Sequence, residues 1–370
     1  MILERYLELG RERWPSARAE RSRTVHLRAT LDWVYRAQDA TPDRGVSHSY
    51  ALGTGWRRSY PETTGYLIST LLNWHATSGD TEARRRAVEM AEWELEVASP
   101  EGAIPDLVRD KPKVFDTAQV LFGFLAAWRV FEEARFRAAA ERAAVWLISR
   151  MQPNGLWSDD PGEEPLTYNA RSAWALIEAG QWLTVPEFTQ KGLEFLVWTL
   201  SREAGHGWFT NNCLNDFEHP LLHTIAYTAQ GQLEGGLLTE RHDLVAAARR
   251  TAEALAGRVA ANGRMSGRFD REWTPAVSWA CLTGIAQMVI VWRRLDAISG
   301  TPTFRESADR ALAFLLSVHD TSSSQGGLRG GVRGSFPING GYLRYAVPNW
   351  AAKFQIDALL VSEGSLEYAG

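Results

Sequence analysis

The chain has 370 residues, 45% of them hydrophobic and 23% charged, with a formal net charge of -4. That balance provides for a large core and gives no basic field, so a nucleic-acid partner is disfavoured. The two cysteines, Cys213 and Cys281, stand far apart in no zinc or disulfide spacing, and neither a metal nor a cofactor is expected.

Residues 1–10 alternate charged and apolar side chains without the apolar core of a leader, and 1–17 read as an N-terminal extension. No stretch approaches the roughly 18 apolar residues that a membrane span needs, so the expectation is a cytoplasmic protein without membrane insertion. A first outer helix is expected over 22–40. The connection 41–61 then carries Trp56 and Arg58 into an apolar helix that opens at Pro61-Glu62-Thr63-Thr64-Gly65-Tyr66.

That opening recurs. Apolar, nearly uncharged helices begin at Glu62, Asp116, Asn169, His223, Ser278 and Asn349, at intervals of about 54 residues with one insertion before the last. Helices with charged faces run between them, for example over 81–90, 136–146 and 304–314. Six inner and six outer helices in alternation predict an all-α (α/α)6 toroid, or barrel, folded as a single domain over 1–370.

The connections differ in kind. Inner-to-outer links such as 77–80 and 299–303 are short turns. The outer-to-inner links 41–61, 99–115, 152–168, 202–220, 262–274 and 319–347 are long and rich in Gly, Trp, Arg, Asn and Asp, which places the working face on their side. The last is rich in glycine but has no GxxxxGK[ST] pattern, and a mobile flap is expected there. All six inner-helix N-termini are expected on that face, where their positive dipole ends favour an anionic ligand.

Asp116 either caps its helix or, set among Phe115 and Phe122, serves as a general acid or base. Glu62 takes the same position one repeat earlier. It is either a first-turn acid favoured by the helix dipole or the second carboxylate of a glycoside-cleaving pair. His223 holds the corresponding place in a later repeat, as a proton-transfer group or a structural imidazole.

Ahead of His223, the connection 202–220 concentrates Trp208, Asn211, Asp216, Glu218 and His219 in a spacing that matches no metal pattern. Trp157, Asn169, Arg171, Arg268, Trp279, Tyr342 and Asn349 join Trp56 and Arg58 as substrate-binding candidates. The aromatic rings would stack on sugars and the arginines would clamp a carboxylate, with rim packing and solvated charge as the alternatives.

With these residues in view, the chain resembles the six-hairpin glycosidase-like and terpenoid-cyclase-like α/α-toroid superfamilies. The segment Pro61-Glu62-Thr63-Thr64-Gly65-Tyr66 is similar to one in a toroid group encoded with bacterial exopolysaccharide biosynthesis functions. Asp116-Thr117-Ala118 resembles the catalytic-Asp position of unsaturated glucuronyl hydrolases, which implies acid/base hydrolysis of a uronate-containing sugar. It also resembles part of the acidic motif of class II terpene cyclases, whose further aspartates are replaced here by Lys113, Val114 and Phe115. Sugar 2-epimerases share the toroid and use inner-helix histidines, a place that His223 alone holds here. Lanthionine cyclases share it too, but their Cys/His zinc set is not recognisable.

The expected ligand is therefore an anionic poly- or oligosaccharide and the expected reaction is hydrolysis. A sugar epimerase or isomerase, or a non-catalytic glycan-binding or assembly protein of a polysaccharide pathway, is the alternative.

Overall fold

The structure, a computed structural model, describes residues 2–13, 21–106, 111–158 and 164–364. Its helices in chain order are α1 Ile2–Arg13, α2 Arg23–Asp39, α3 Pro61–Ser78, α4 Thr81–Val97, α5 Val114–Phe131, α6 Ala134–Ser149 and α7 Ala170–Trp182. There follow α8 Pro186–Ser201, α9 Leu222–Leu238, α10 His242–Ala256, α11 Leu282–Ser299, α12 Pro302–Val318 and α13 Asn349–Ser362. Among the described residues, five short strands punctuate them: β1 Ser49–Ala51, β2 Gly55–Trp56, β3 Ala280–Cys281, β4 Ser335–Phe336 and β5 Ala346–Pro348. The fold is all-α. Inner and outer helices pack as hairpins, α3 with α4, α5 with α6, α7 with α8 and α11 with α12, in the order of an (α/α)6 toroid.

The helix ends have local causes. Asp80 caps α4, its carboxylate accepting from the backbone N–H groups of Glu82 and Ala83 at 2.9 and 3.2 Å. Pro61 stands at the first position of α3, where its missing N–H costs nothing. Gly79, at φ 74°, ends that helix in the left-handed conformation. The expected opening at Ser278 falls four residues before the observed helix because Ala280 and Cys281 pair first with Phe336 and Ser335.

The chain divides into two compact units. One comprises 60–220 and 224–254, and the other 1–59, 221–223 and 255–368, each within the described residues. In the first, the inner helices α3, α5 and α7 pack side by side. Their approach depends on missing side chains, since a Cβ on Gly123 would lie 2.3 Å from the carbonyl oxygen of Gly65, and one on Gly65 would lie 2.6 Å from Val120 Cα. Helix α5 is long and apolar enough to cross a membrane, but 67% of it is buried inside the protein, as befits a core helix.

In the second unit, α13 packs on α2 and on α11. β1 pairs with both β2 and β5 in an antiparallel three-stranded sheet. The segment expected as a flap is packed down. The Trp33 indole donates to Gly327 O at 2.8 Å, and a Cβ on Gly330 would lie 2.0 Å from Ala29 O. Arg333 pairs with Glu8 and, at 3.1 Å, with Glu12 of α1, so part of the N-terminal extension helps to hold this segment. The glycines here allow this close packing. The rest of that extension, 14–17, lies outside the described residues.

Candidate active site

In the first unit the chemistry gathers at the N-terminal ends of α3 and α5. Tyr60 precedes Pro61, which confines it to extended backbone at φ -127° and ψ 113°. From there its hydroxyl donates to the Glu62 carboxylate. Burial raises the Glu62 carboxyl to about 7, against the pull of the Tyr60 hydrogen bond and of the Lys113 and Arg171 charges; Asp106 adds to the rise. Tyr60 itself is pushed well above its ordinary value, first by burial and then by the charges of Glu62 and Asp116. Lys113 pairs with Asp106 at 3.3 Å.

Asp116 is not the cap of its helix. Helix α5 begins at Val114, with Lys113 in the capping position and no side-chain cap bond. That places Asp116 in the first turn, 3% exposed. Beneath it, Arg171 is fully buried. Its guanidinium donates to Gln119 Oε1 at 2.7 Å and Gln230 Oε1 at 2.9 Å, and lies 5.1 to 5.9 Å from the ring centres of Tyr66, Phe122, Trp174 and Tyr227. Arg171 is thus an internal charge that acts on Glu62 at a distance, enclosed away from any ligand.

The other candidates of this unit are placed as follows. The Trp157 indole donates to Leu147 O at 2.8 Å and its ring packs on Phe195, which buries it to 1% exposure and leaves no face for a sugar. Trp208 is also buried. Buried Asn169 accepts from Ser172 Oγ at 2.9 Å in the turn that leads into α7. Asn211, at φ 55°, donates to Glu164. Asp216 accepts from the His219 backbone at 3.0 Å and lies 3.3 Å from its imidazole, while Glu218 is exposed beside them.

In the second unit, His223 Nδ1 lies 2.6 Å from Gln287 Oε1, and its ring faces Tyr342 at 5.7 Å and Phe354 at 6.2 Å. Tyr342 accepts from the Trp350 indole at 2.8 Å. The Trp279 ring is crowded by Gly267 and Gly341 backbone, where added Cβ atoms would come within 2.1 and 3.0 Å. Arg268 is half-buried and bridges Leu221 through its backbone. The Trp56 ring packs on Trp33 and Tyr50, at 5.2 and 5.3 Å. Arg58 is exposed. Asn349 is wholly buried and donates to Ser47 O at 3.1 Å, which serves the join of β1 to β5.

Tyr60, Gln119, Gln230 and Gln287 escape sequence reasoning. Only Tyr60 leaves a trace, as an aromatic hydroxyl two residues before an acid at a Pro-initiated helix.

No family model and no curated protein matches the chain. Solved structures do, over nearly its whole length. An unsaturated glucuronyl hydrolase from Bacillus sp. GL1, described as responsible for glycosaminoglycan degradation, is 17% identical with a TM-score of 0.74, covering 92% of this chain and 96% of its own. A cellobiose 2-epimerase from Bacillus thermoamylovorans is 9% identical with a TM-score of 0.73, covering 96% and 99%. A D-mannose isomerase is 11% identical with a TM-score of 0.72, covering 95% and 100%. The chain therefore shares the α/α-toroid fold of these proteins.

Proposed function

We propose that this protein is a glycosidase-like hydrolase that acts on a uronate-containing poly- or oligosaccharide. The carrying observation is the Glu62 carboxyl, which burial keeps protonated up to about pH 7 while Tyr60 orients it and Asp116 stands on the next inner helix. A carboxylic acid so held can donate its proton to the departing glycosidic oxygen as the C–O bond breaks. Asp116 is the partner carboxylate, which takes a proton from the attacking water or stabilises the positive charge that develops on the sugar. The likeness in fold to enzymes named as glucuronyl hydrolases supports the choice of substrate class.

The test compares wild type with Asp116→Asn, following the release of reducing ends from acidic and neutral oligosaccharides and ligand binding by calorimetry. Cleavage by wild type, with binding but no cleavage by the variant, is the expected result. Equal binding without turnover in either protein would make this a glycan-binding protein instead.

A second reading, a sugar epimerase or isomerase, is favoured by His223. Its Nδ1 lies 2.6 Å from the side-chain amide of Gln287, which holds the ring in place; with Nδ1 donating to that amide, Nε2 is the basic nitrogen. Formation of an isomer with no new reducing end would favour that reading. An exopolysaccharide pathway is a fitting context, on the strength of Pro61-Glu62-Thr63-Thr64-Gly65-Tyr66. The two buried cysteine thiols suit a reducing compartment such as the cytoplasm.

A further inference from the structure

The connection that leads in sequence to Glu62 carries a cluster that the acid/base chemistry leaves unused. Ser47 pairs with Ser59 and Tyr50 with Trp56, so the register sets Arg58 directly across from His48. The His48 backbone N–H donates to Arg58 O at 2.9 Å, and the Arg57 N–H donates to Ser49 O at 3.0 Å. On the other side of His48, Asn349 N donates to His48 O at 3.1 Å, which fixes the strand from both edges. The imidazole is half-buried, with Nδ1 2.9 Å from Ser49 Oγ, and meets the Trp350 ring edge-on at 4.9 Å.

Two features of this cluster call for a ligand. Arg57 and Arg58 are both exposed, and neither guanidinium forms an ion pair or hydrogen bond with another described residue. Some arginines elsewhere are matched with acids, as Arg85 is with Glu82 and Arg250 with Glu203. Beside this pair, His48 is held down at about 4, first by burial and then by the Arg57 and Arg58 charges. A neutral imidazole and two unmatched cations therefore stand on one hairpin, with the Trp350 indole of α13 against the imidazole. An anion beside His48 would lie in the field of both guanidiniums, whose charges reach that imidazole.

We infer that Arg57, Arg58 and His48 form a subsite for the carboxylate of an acidic sugar residue, with Trp350 as part of its apolar wall. This deepens the reading of the protein as carbohydrate-active and rests on it for the choice of a sugar carboxylate over other anions. Binding an anion here also favours the charged imidazole, so His48 becomes a stronger base when the subsite is filled.

The experiment uses the full chain with free D-glucuronate, which has no glycosidic bond, so binding is measured whether or not the protein is a hydrolase. Calorimetry compares D-glucuronate, D-glucose and inorganic sulfate on wild type, Arg58→Gln and the Arg57→Gln/Arg58→Gln pair, while NMR follows the His48 ring. Expected are glucuronate binding at least about tenfold tighter than glucose, a loss of about tenfold in Arg58→Gln and more in the double variant, and a rise in the His48 pKa on saturation. Glucuronate binding no tighter than glucose, an unchanged affinity in the double variant, or sulfate binding as tightly as glucuronate would each overturn the inference. Failure of the hydrolase reading would show separately, as absent turnover of oligosaccharides with the glucuronate result intact.

Discussion

Glu178 lies on α7, 6% exposed, with no hydrogen bond to its Oε2. Burial raises its carboxyl to about 7; Glu234 adds to the rise, while Arg129 and Arg171 oppose it. In the unfolded chain the same group titrates near its ordinary 4.5. The folded state therefore holds a proton that the unfolded chain releases, and stability from this group is full below pH 4.5 and lost as pH rises through 7. Once both states have ionised, the penalty to folding is about 3 kcal/mol. Glu178→Gln keeps the shape and never ionises. In urea unfolding at a series of pH values, it should exceed wild type by no more than about 1 kcal/mol at pH 5 and by about 3 kcal/mol at pH 8.5. Parallel stability curves for the two proteins across that range would refute the reasoning.

Two further perturbations test the packing beneath the carboxylates. Gly123→Ala puts a methyl group 2.3 Å from Gly65 O, against backbone that cannot swing aside, so α3 and α5 must separate. A loss of about 1–3 kcal/mol in the denaturant midpoint at unchanged slope is expected. Arg171→Met removes two charge-assisted hydrogen bonds worth about 1.5 kcal/mol each, for a loss of about 3 kcal/mol, and drives the Glu62 carboxyl further up. Urea unfolding reads the first effect, and Arg171→Lys should restore only part of it, because one ammonium cannot reproduce the guanidinium fork between Gln119 and Gln230.

The repeat was the most legible part of the sequence. Buried inner helices leave a charge-poor imprint about every 54 residues, and the structure opens them at Pro61, Val114, Ala170, Leu222 and Asn349, within two residues of expectation. The exception, α11, starts late because β3 forms from the residues just ahead of it, a pairing with β4 that no local pattern announces. Glu62 and Asp116 could be singled out because equivalent positions in a repeat share an environment. Their surroundings could not. Whether Asp116 caps a helix depends on a start two residues earlier, and the partnership of Tyr60 with Glu62 depends on one side-chain rotamer. The tryptophans show the same limit. Trp157 sits in a long loop by sequence, yet its indole closes on Leu147 O and the ring is consumed by the core. The 319–347 segment is rich in glycine for contact with Ala29, Trp33 and Tyr50, a use that composition alone does not distinguish from mobility.

The central claim is that Glu62 supplies a proton near neutrality, and the pH dependence of kcat/KM on an acidic oligosaccharide tests it most directly. Because a general acid must be protonated to act, the profile should fall on its alkaline side with an apparent pKa near 7, and Tyr60→Phe should move that limb to higher pH by removing the hydrogen bond that favours the carboxylate. A profile that stays flat from pH 5 to pH 9, or an alkaline limb that Tyr60→Phe leaves in place, would contradict the account.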